Sequence, residues 1–372
     1  MKITKVDIVY NKKPIPLPEP WQAAWSAPDG KPVTSMGFSL YRMETDEGIV
    51  GYGPNTGANP NLAVGFDPHQ VGYFWNKHMS GRRSGLSGKG AAGLEIAMWD
   101  IIGKAAKQPV SKLLGARTDK LLVYAATSRL LEKKHQVRQA LELEDEGFKA
   151  IKLRLHRPDP WDDLDVVEAV VDEVDDDMMI LVDANQNNPS DEYQFWSRQT
   201  ALRIASELDD LGVYYLEEPL PRIDIEGLTD IADTVDMFVA GGEHSPTVYD
   251  FREHIIEGAY DIIQPDVAMT GNIGIIGIKK AADMADLYTR LVVPHVLSGG
   301  NCGIALPATL QAMATVDNCP LVEYPYDPPI LEPKTNQSFV KEPVLIDEDG
   351  YVKVPELPGL GVEIEEDKIT IK

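Results

Sequence analysis

Cysteine is nearly absent from this chain: Cys302 and Cys319 are the only two in 372 residues. Two thiols make no disulfide framework, so stability has to come from a buried core, and a reducing, cytoplasmic setting is expected. Positive charge is also scarce, with 35 Lys and Arg against 59 Asp and Glu and a net charge of -24. That balance argues against nucleic acid as a partner, because phosphate needs Lys and Arg to neutralise it. No apolar run approaches the roughly 20 residues of a membrane-spanning helix. The opening MKITKVDIVYNKKPIPLP has no long apolar core, so no signal peptide is expected. There is no Cys/His cluster of the kind that holds zinc.

What is present is ordinary globular material, 43% hydrophobic and 25% charged, in a chain long enough for one large domain and a smaller one. From Leu121 onward, short apolar runs alternate with amphipathic helical stretches. The runs are 121–126, 150–156, 179–185, 213–219, 237–243, 260–266, 290–295 and 320–325, with helical segments such as 161–174 and 200–212 between them. Alternation on this scale predicts a parallel sheet. Eight runs predict an α/β barrel of the (β/α)8 type. An open doubly wound sheet is the alternative, but no Gly-rich dinucleotide turn follows the early strands.

The first 120 residues read differently. Two strand-like stretches with a turn at TDEG, then a helix-rich segment over 89–115, predict an α+β capping domain. The barrel is assigned to 121–325, and 326–372 is expected to be a tail packing back on the cap.

Several runs end on polar groups where barrel enzymes place their chemistry, at the C-terminal ends of the strands. In ILVDANQ (180–186) three apolar residues run into Asp183; a charge there needs a partner or a metal. The fourth run ends at Glu217 and Glu218, the fifth at Glu243, the sixth at Asp266 and the seventh at His295, and the eighth carries Glu323. Lys152, Arg154 and His156 alternate with Ile151, Leu153 and Leu155, so the three polar residues share one face. Carboxylates on consecutive strands suit Mg²⁺, a hard cation that takes oxygen ligands and keeps sites for water or substrate. Asp183 alone could equally cap a helix. Glu217 and Glu218 point to opposite faces, and periodicity does not say which faces inward.

These motifs resemble the mandelate racemase/muconate lactonising branch of the enolase superfamily. GLEIAMWDIIGKAAKQPVSKLLGA is similar to its cap helix signature; VDANQ, LEEPL and GGEH resemble its three metal strands in order; QPDV and VVPHV resemble its Asp and His strands. The resemblance implies a modified (β/α)7β barrel under a cap, and Mg²⁺ held by Asp183, Glu217 and Glu243. It also implies His295 as general base oriented by Asp266, and Glu323 as an acid that hydrogen-bonds the substrate carboxylate. The implied chemistry removes the proton α to a carboxylate through an enediolate. A homo-oligomer is implied as well.

One position departs from the pattern. Racemases of this kind carry Lys-x-Lys on the second strand, whereas this chain reads Lys152-Leu153-Arg154. Arg stays protonated and makes a poor base, but a good clamp for carboxylates. One base suffices for dehydration, while racemisation needs an acceptor on each face. The expected reaction is therefore dehydration of an aldonate or aldarate to a 2-keto-3-deoxy acid, with Arg154 binding substrate and Lys152 a further catalytic candidate. A racemase or epimerase is the alternative, and a non-catalytic acid-sugar binder is a reading from another class. Specificity is expected from the Pro-rich loop 16–32, which carries Trp21 and Trp25, and from the turn 51–61. Trp25 and Asn185 are candidate substrate contacts. Asn55 reads as a turn residue, SGGNCG (298–303) as a tight turn before a helix, and His244 as a neighbour of the metal acids.

Overall fold

The computed structural model describes residues 1–26, 30–81, 90–187 and 195–371. Residues 27–29 of the Pro-rich segment and Lys89 of the helix-rich segment lie outside the described residues. The cap begins with strands β1 (Ile3–Asn11), β2 (Ile15–Trp21), β3 (Val33–Met36), β4 (Ser39–Thr45) and β5 (Val50–Pro54). Helices α1 (Val71–His78), α2 (Ala92–Ala106) and α3 (Val110–Leu113) follow. β1, β4 and β5 form an antiparallel sheet, and α2 lies directly on β5. A Cβ on Gly53 would sit 2.0 Å from the Gly93 carbonyl oxygen, so glycine is what permits this close approach.

The barrel is built from β6 (Lys120–Ala126), β7 (Ala150–Arg154), β8 (Met179–Asp183), β9 (Tyr215–Glu217), β10 (Phe238–Gly241), β11 (Ile262–Ile263), β12 (Leu291–Val292) and β13 (Val322–Pro325). Between successive strands run α4 (Lys133–Asp145), α5 (Pro160–Val171), α6 (Arg198–Asp210), α7 (Ile225–Ala232), α8 (Val248–Glu257), α9 (Gly274–Leu287) and α10 (Cys302–Met313). The parallel order is β12-β11-β10-β9-β8-β7-β6-β13, a curled sheet of eight strands connected by seven helices, as the (β/α)7β reading expects.

Period-2 alternation sorts the side chains. Ile151, Leu153 and Leu155 join a core shared with Ala140, Leu143 and Val167 of the surrounding helices. Inside the barrel, Tyr124, Ala150, Leu181, Tyr215, Ala240, Ile262, Val293 and Leu321 form a separate apolar layer. This layer is the floor of the site.

Two expectations are corrected. Segment 16–32 is not simply a loop: β2 pairs antiparallel with β3 as a separate two-stranded ribbon, Ile15 opposite Met36 and Trp21 opposite Val33. Pro16, Pro18 and Pro20 fall on alternate positions of β2, so the missing N–H groups are confined to one edge, which a ribbon tolerates and a central strand does not. The tail does not pack on the cap alone. After α11 (Pro333–Asn336), β14 (Tyr351–Lys353) pairs antiparallel with barrel strand β6, and only β15 (Ile369–Ile371) completes the cap sheet beside β1. β6 accepts it because it belongs to the barrel rim, with its outer edge otherwise unpaired at Lys120–Leu122.

Candidate active site

Two residues beyond the apolar floor on most strands, the same inward face becomes polar. Ala150 leads to Lys152, Leu181 to Asp183, Tyr215 to Glu217, Val293 to His295 and Leu321 to Glu323. This places Glu217, of the adjacent glutamates, on the barrel axis. Glu218 follows the end of β9 with φ 47°, and this left-handed turn swings its carboxylate elsewhere. Among the described residues, Glu218, Glu243 and His244 bring ligand atoms within 4.8 Å of one another. Glu217 instead receives Lys152 Nζ at 2.7 Å on one oxygen, while its other oxygen is buried with no hydrogen-bond partner. Glu218 takes Asn187 Nδ2 at 2.9 Å and likewise leaves one oxygen orphaned.

Asp183 caps no helix: α6 is capped by Ser197. Its oxygens accept Asn185 N at 2.7 Å and Asn185 Nδ2 at 2.9 Å, and the Arg154 guanidinium pairs with it. Asn185 therefore spends its amide on Asp183, and its Oδ1 lies 3.4 Å from Arg154 Nη1. Arg154 is further fixed by Nε donating to the Thr127 carbonyl at 2.7 Å and by the Trp25 ring, 4.8 Å from Cζ. Lys152 is fully buried, 2.7 Å from Glu217 and 3.2 Å from Glu323. Glu323 also accepts the Tyr124 hydroxyl at 2.8 Å. Period-2 counting on the first strand could have found Tyr124; the sequence reading missed it.

His295 Nδ1 lies 2.6 Å from Asp266 Oδ2, and Nε2 faces Glu243 Oε2 at 3.2 Å and Glu323 Oε1 at 4.0 Å. Burial disfavours the charged imidazole, but Glu243, Glu323 and Asp266 outweigh it and raise its pKa well above the usual value. Burial also penalises charge on Lys152, yet Glu217 and Glu323 hold it as an ammonium. For Arg154 the Asp183 and Glu323 charges likewise overcome burial. Glu323 is lowered: burial opposes ionisation, and Lys152, His295 and Arg154 prevail. Without substrate this favours the carboxylate form; a substrate carboxylate brought beside it would push its pKa up, toward the acid form expected.

The acids exceed their positive partners. Asp183, Glu217, Glu218, Glu243, Asp266 and Glu323 are all buried, against Lys152, Arg154 and His295. Burial, and then Asp183, push Glu217 up to about 7; burial, and then Glu243, raise Glu218 well above the carboxylate range. Orphaned oxygens and excess buried negative charge are what a divalent cation bound by carboxylates would relieve, so this donor set fits Mg²⁺.

A cavity of about 110 Å³ opens above these groups, lined by Trp25, Arg154, Asn185, His295, Ser298 and Glu323. A wider groove of about 570 Å³ between the cap and the tail holds none of this chemistry. Ser298 precedes α10 in the expected turn. Asn55 is a turn residue, its Oδ1 accepting Gly57 N at 3.1 Å. Cys302 is buried and its thiol is pushed up by that burial, so it is no nucleophile.

Comparison with known proteins agrees with this fold. The enolase C-terminal domain-like family model matches residues 135–368, and that of the mandelate racemase/muconate lactonizing enzyme N-terminal domain matches residues 11–115. Arabinonate dehydratase of Saccharolobus solfataricus is 31% identical over 347 residues, 87% of each chain. D-galactarolactone cycloisomerase of Agrobacterium fabrum is 31% identical over 354 residues, 89% of this chain and 90% of the relative. The structure of a racemase from Streptomyces coelicolor with bound magnesium superposes with a TM-score of 0.80, at 26% identity and 98% coverage of both chains. The chain belongs to the mandelate racemase/muconate lactonizing enzyme family of the enolase superfamily.

Proposed function

We propose that this enzyme dehydrates an acid sugar, an aldonate or aldarate, to a 2-keto-3-deoxy acid. Asp183, Glu217 and Glu243 would hold Mg²⁺, with Glu218 and His244 grouped around Glu243. When bound there, the cation would supply positive charge to the substrate carboxylate as its α-proton leaves. The observation that carries the reading is Arg154. Its guanidinium is pinned by Asp183, Thr127 and Trp25 and stays protonated, so the second-strand face offers a clamp and no base.

Among the described residues lining the cavity, His295 is assigned the proton transfer. Asp266 accepts the hydrogen bond from Nδ1–H, leaving Nε2 as the working nitrogen; a cation held at Glu243 would offset the negative charge that raises the imidazole's pKa and so favour the neutral base. Nε2 removes the α-proton, and the same proton goes to the departing β-hydroxyl, which leaves as water. The resulting enol tautomerises to the 2-keto acid. Arg154 and the Lys152 ammonium stabilise the substrate carboxylate and the charge that develops on it. A ring-opening or ring-closing elimination by the same single base is a second reading, supported by the 31% identity to a cycloisomerase.

The test is a panel of aldonates, aldarates and their lactones incubated with the protein and Mg²⁺, with an EDTA control. An EDTA-sensitive 2-keto-3-deoxy acid, lighter than its substrate by one water, supports dehydration. A product of unchanged mass from a lactone supports the cycloisomerase reading, and inversion at the α-carbon without either product would overturn both.

A further inference from the structure

The Trp25 ring that covers Arg154 sits on residues 22–26, where it meets Arg154 on one side and the Ala24 backbone meets His156. A second set of anchors, ending in Asp327 just beyond β13, holds the stretch from Trp21 to Ala24. Asp327 is fully buried. Its Oδ2 accepts Ser128 N at 3.0 Å and Ser128 Oγ at 2.5 Å. Because the Ser128 hydroxyl spends its proton on Asp327, its oxygen is free to accept, and it takes Trp21 Nε1 at 3.0 Å. The Ser128 carbonyl accepts Ala24 N at 2.7 Å. Two bonds at one serine thus seat the chain on either side of Gln22.

The carboxylate is locked from its other side. Arg129 forks onto it, with Nη2 at 2.8 Å from Oδ1, and reaches Glu19 of β2 through Nη1 at 2.6 Å. Gln139 Nε2 adds a bond to Oδ1 at 2.7 Å. The turn that starts at Asp327, closed by Leu331 N on the Asp327 carbonyl at 3.0 Å, presents Ile330 and Leu331 to Ile15, Leu17 and Trp21 of the ribbon. Charge, hydrogen bonds and apolar packing from one turn therefore fix where the ribbon ends and where Trp25 begins.

We propose that Asp327 is a positioning residue: through Ser128 it holds the Trp21–Trp25 segment against the barrel mouth and so sets the wall of the substrate pocket over Arg154. It touches no reacting atom. Its substrate effect rests on the function proposed above, whereas the placement of the segment does not.

The experiment compares wild type, Asp327→Asn, Trp21→Phe and the double variant. Asp327→Asn keeps the shape but turns an NH₂ toward donors. Trp21→Phe removes one N–H donor, keeps an aromatic ring against Ile330 and Leu331, and leaves Asp327 intact should the first variant fold poorly. Hydrogen exchange of the peptide containing Ala24 is read on the Mg²⁺-loaded protein without substrate, and KM and kcat on whichever acid sugar is turned over. Exchange at that peptide faster by about fivefold in each single variant, the worth of one hydrogen bond, with less than the summed effect in the double variant, is the expected result. KM should rise severalfold with kcat within about twofold. Unchanged exchange in both single variants, or a fall in kcat with KM unmoved, overturns the proposal. Should no acid sugar be turned over, the exchange result still decides the positioning role, and the functional reading alone fails.

Discussion

Asp266 and His295 form one unit. The Asp266 Oδ2 lies 2.6 Å from His295 Nδ1, while Oδ1 is fixed by the backbone N–H groups of Ala268 and Met269 at 2.5 and 2.7 Å. The carboxylate cannot rotate without losing those bonds, so the imidazole it holds is fixed in both tautomer and direction. His295→Asn is expected to remove α-proton exchange in D₂O, a loss on the order of 10²–10⁴-fold. Asp266→Asn should keep measurable exchange at a reduced rate. Exchange at the wild-type rate in His295→Asn sinks the assignment of the base.

Arg154 tests the one-base reading. Arg154→Ala should raise KM on the turned-over acid sugar more than it lowers kcat, because the clamp and not the base is lost. Arg154→Lys should restore little, since an ammonium cannot make the guanidinium's forked contacts or stack on Trp25 in the same way. Wild-type enzyme in D₂O should incorporate deuterium from one face only; incorporation from both faces contradicts the idea.

Metal binding has a readout that needs no substrate. A cation bound only by the folded protein stabilises it by about 2.7 kcal/mol at a hundred times its dissociation constant. Mg²⁺ should therefore raise the melting temperature of EDTA-treated wild type. The rise should be lost in Asp183→Asn and Glu243→Gln and strongly reduced in Glu217→Gln. If Glu218→Gln abolishes the shift while Glu217→Gln keeps it, the ligand choice between the two glutamates is reversed.

Glu95 couples cap to barrel. It is fully buried on α2 and accepts Ile275 N at 2.9 Å and Ile276 N at 3.0 Å at the start of α9, with Trp99 Nε1 at 2.9 Å. Burial pushes its pKa up to about 7, against those hydrogen bonds. The sign follows from linkage. Between the unfolded value of 4.5 and about 7 the native carboxyl keeps a proton that the unfolded chain has released, so stability falls as pH rises through that window. Glu95→Gln should flatten this segment of the stability–pH curve, measured by urea unfolding from pH 4.5 to 7.5. An unaltered slope refutes the assignment, and the difference between the two proteins cancels the contribution of the other acids.

Much of the site was legible in the chain because barrel strands are short and period 2 is strict. Asp183, Glu243, Asp266, His295 and Glu323 all lie at or near strand ends named from apolar runs alone, and Lys152 and Arg154 do face inward. The charge state of Glu323 was not legible, because it depends on Lys152 171 residues away in sequence. The ribbon of β2 and β3 was hidden because its prolines read as loop. Asp327 was hidden because an acid beyond a strand carries no periodic signal, and its partners Ser128, Arg129 and Gln139 lie 188 to 199 residues away in sequence, after the neighbouring strand β6.

Local pattern thus determined the eight-strand barrel and the inward row of polar groups that includes Lys152 and Arg154, since hydrophobic alternation needs no distant partner. Only the tertiary structure decided which of Glu217 and Glu218 meets Lys152, how Trp25 comes to lie on Arg154, and that β14 joins the barrel while β15 joins the cap. Those outcomes depend on closure of the strands into a ring, which brings together groups that no local rule relates.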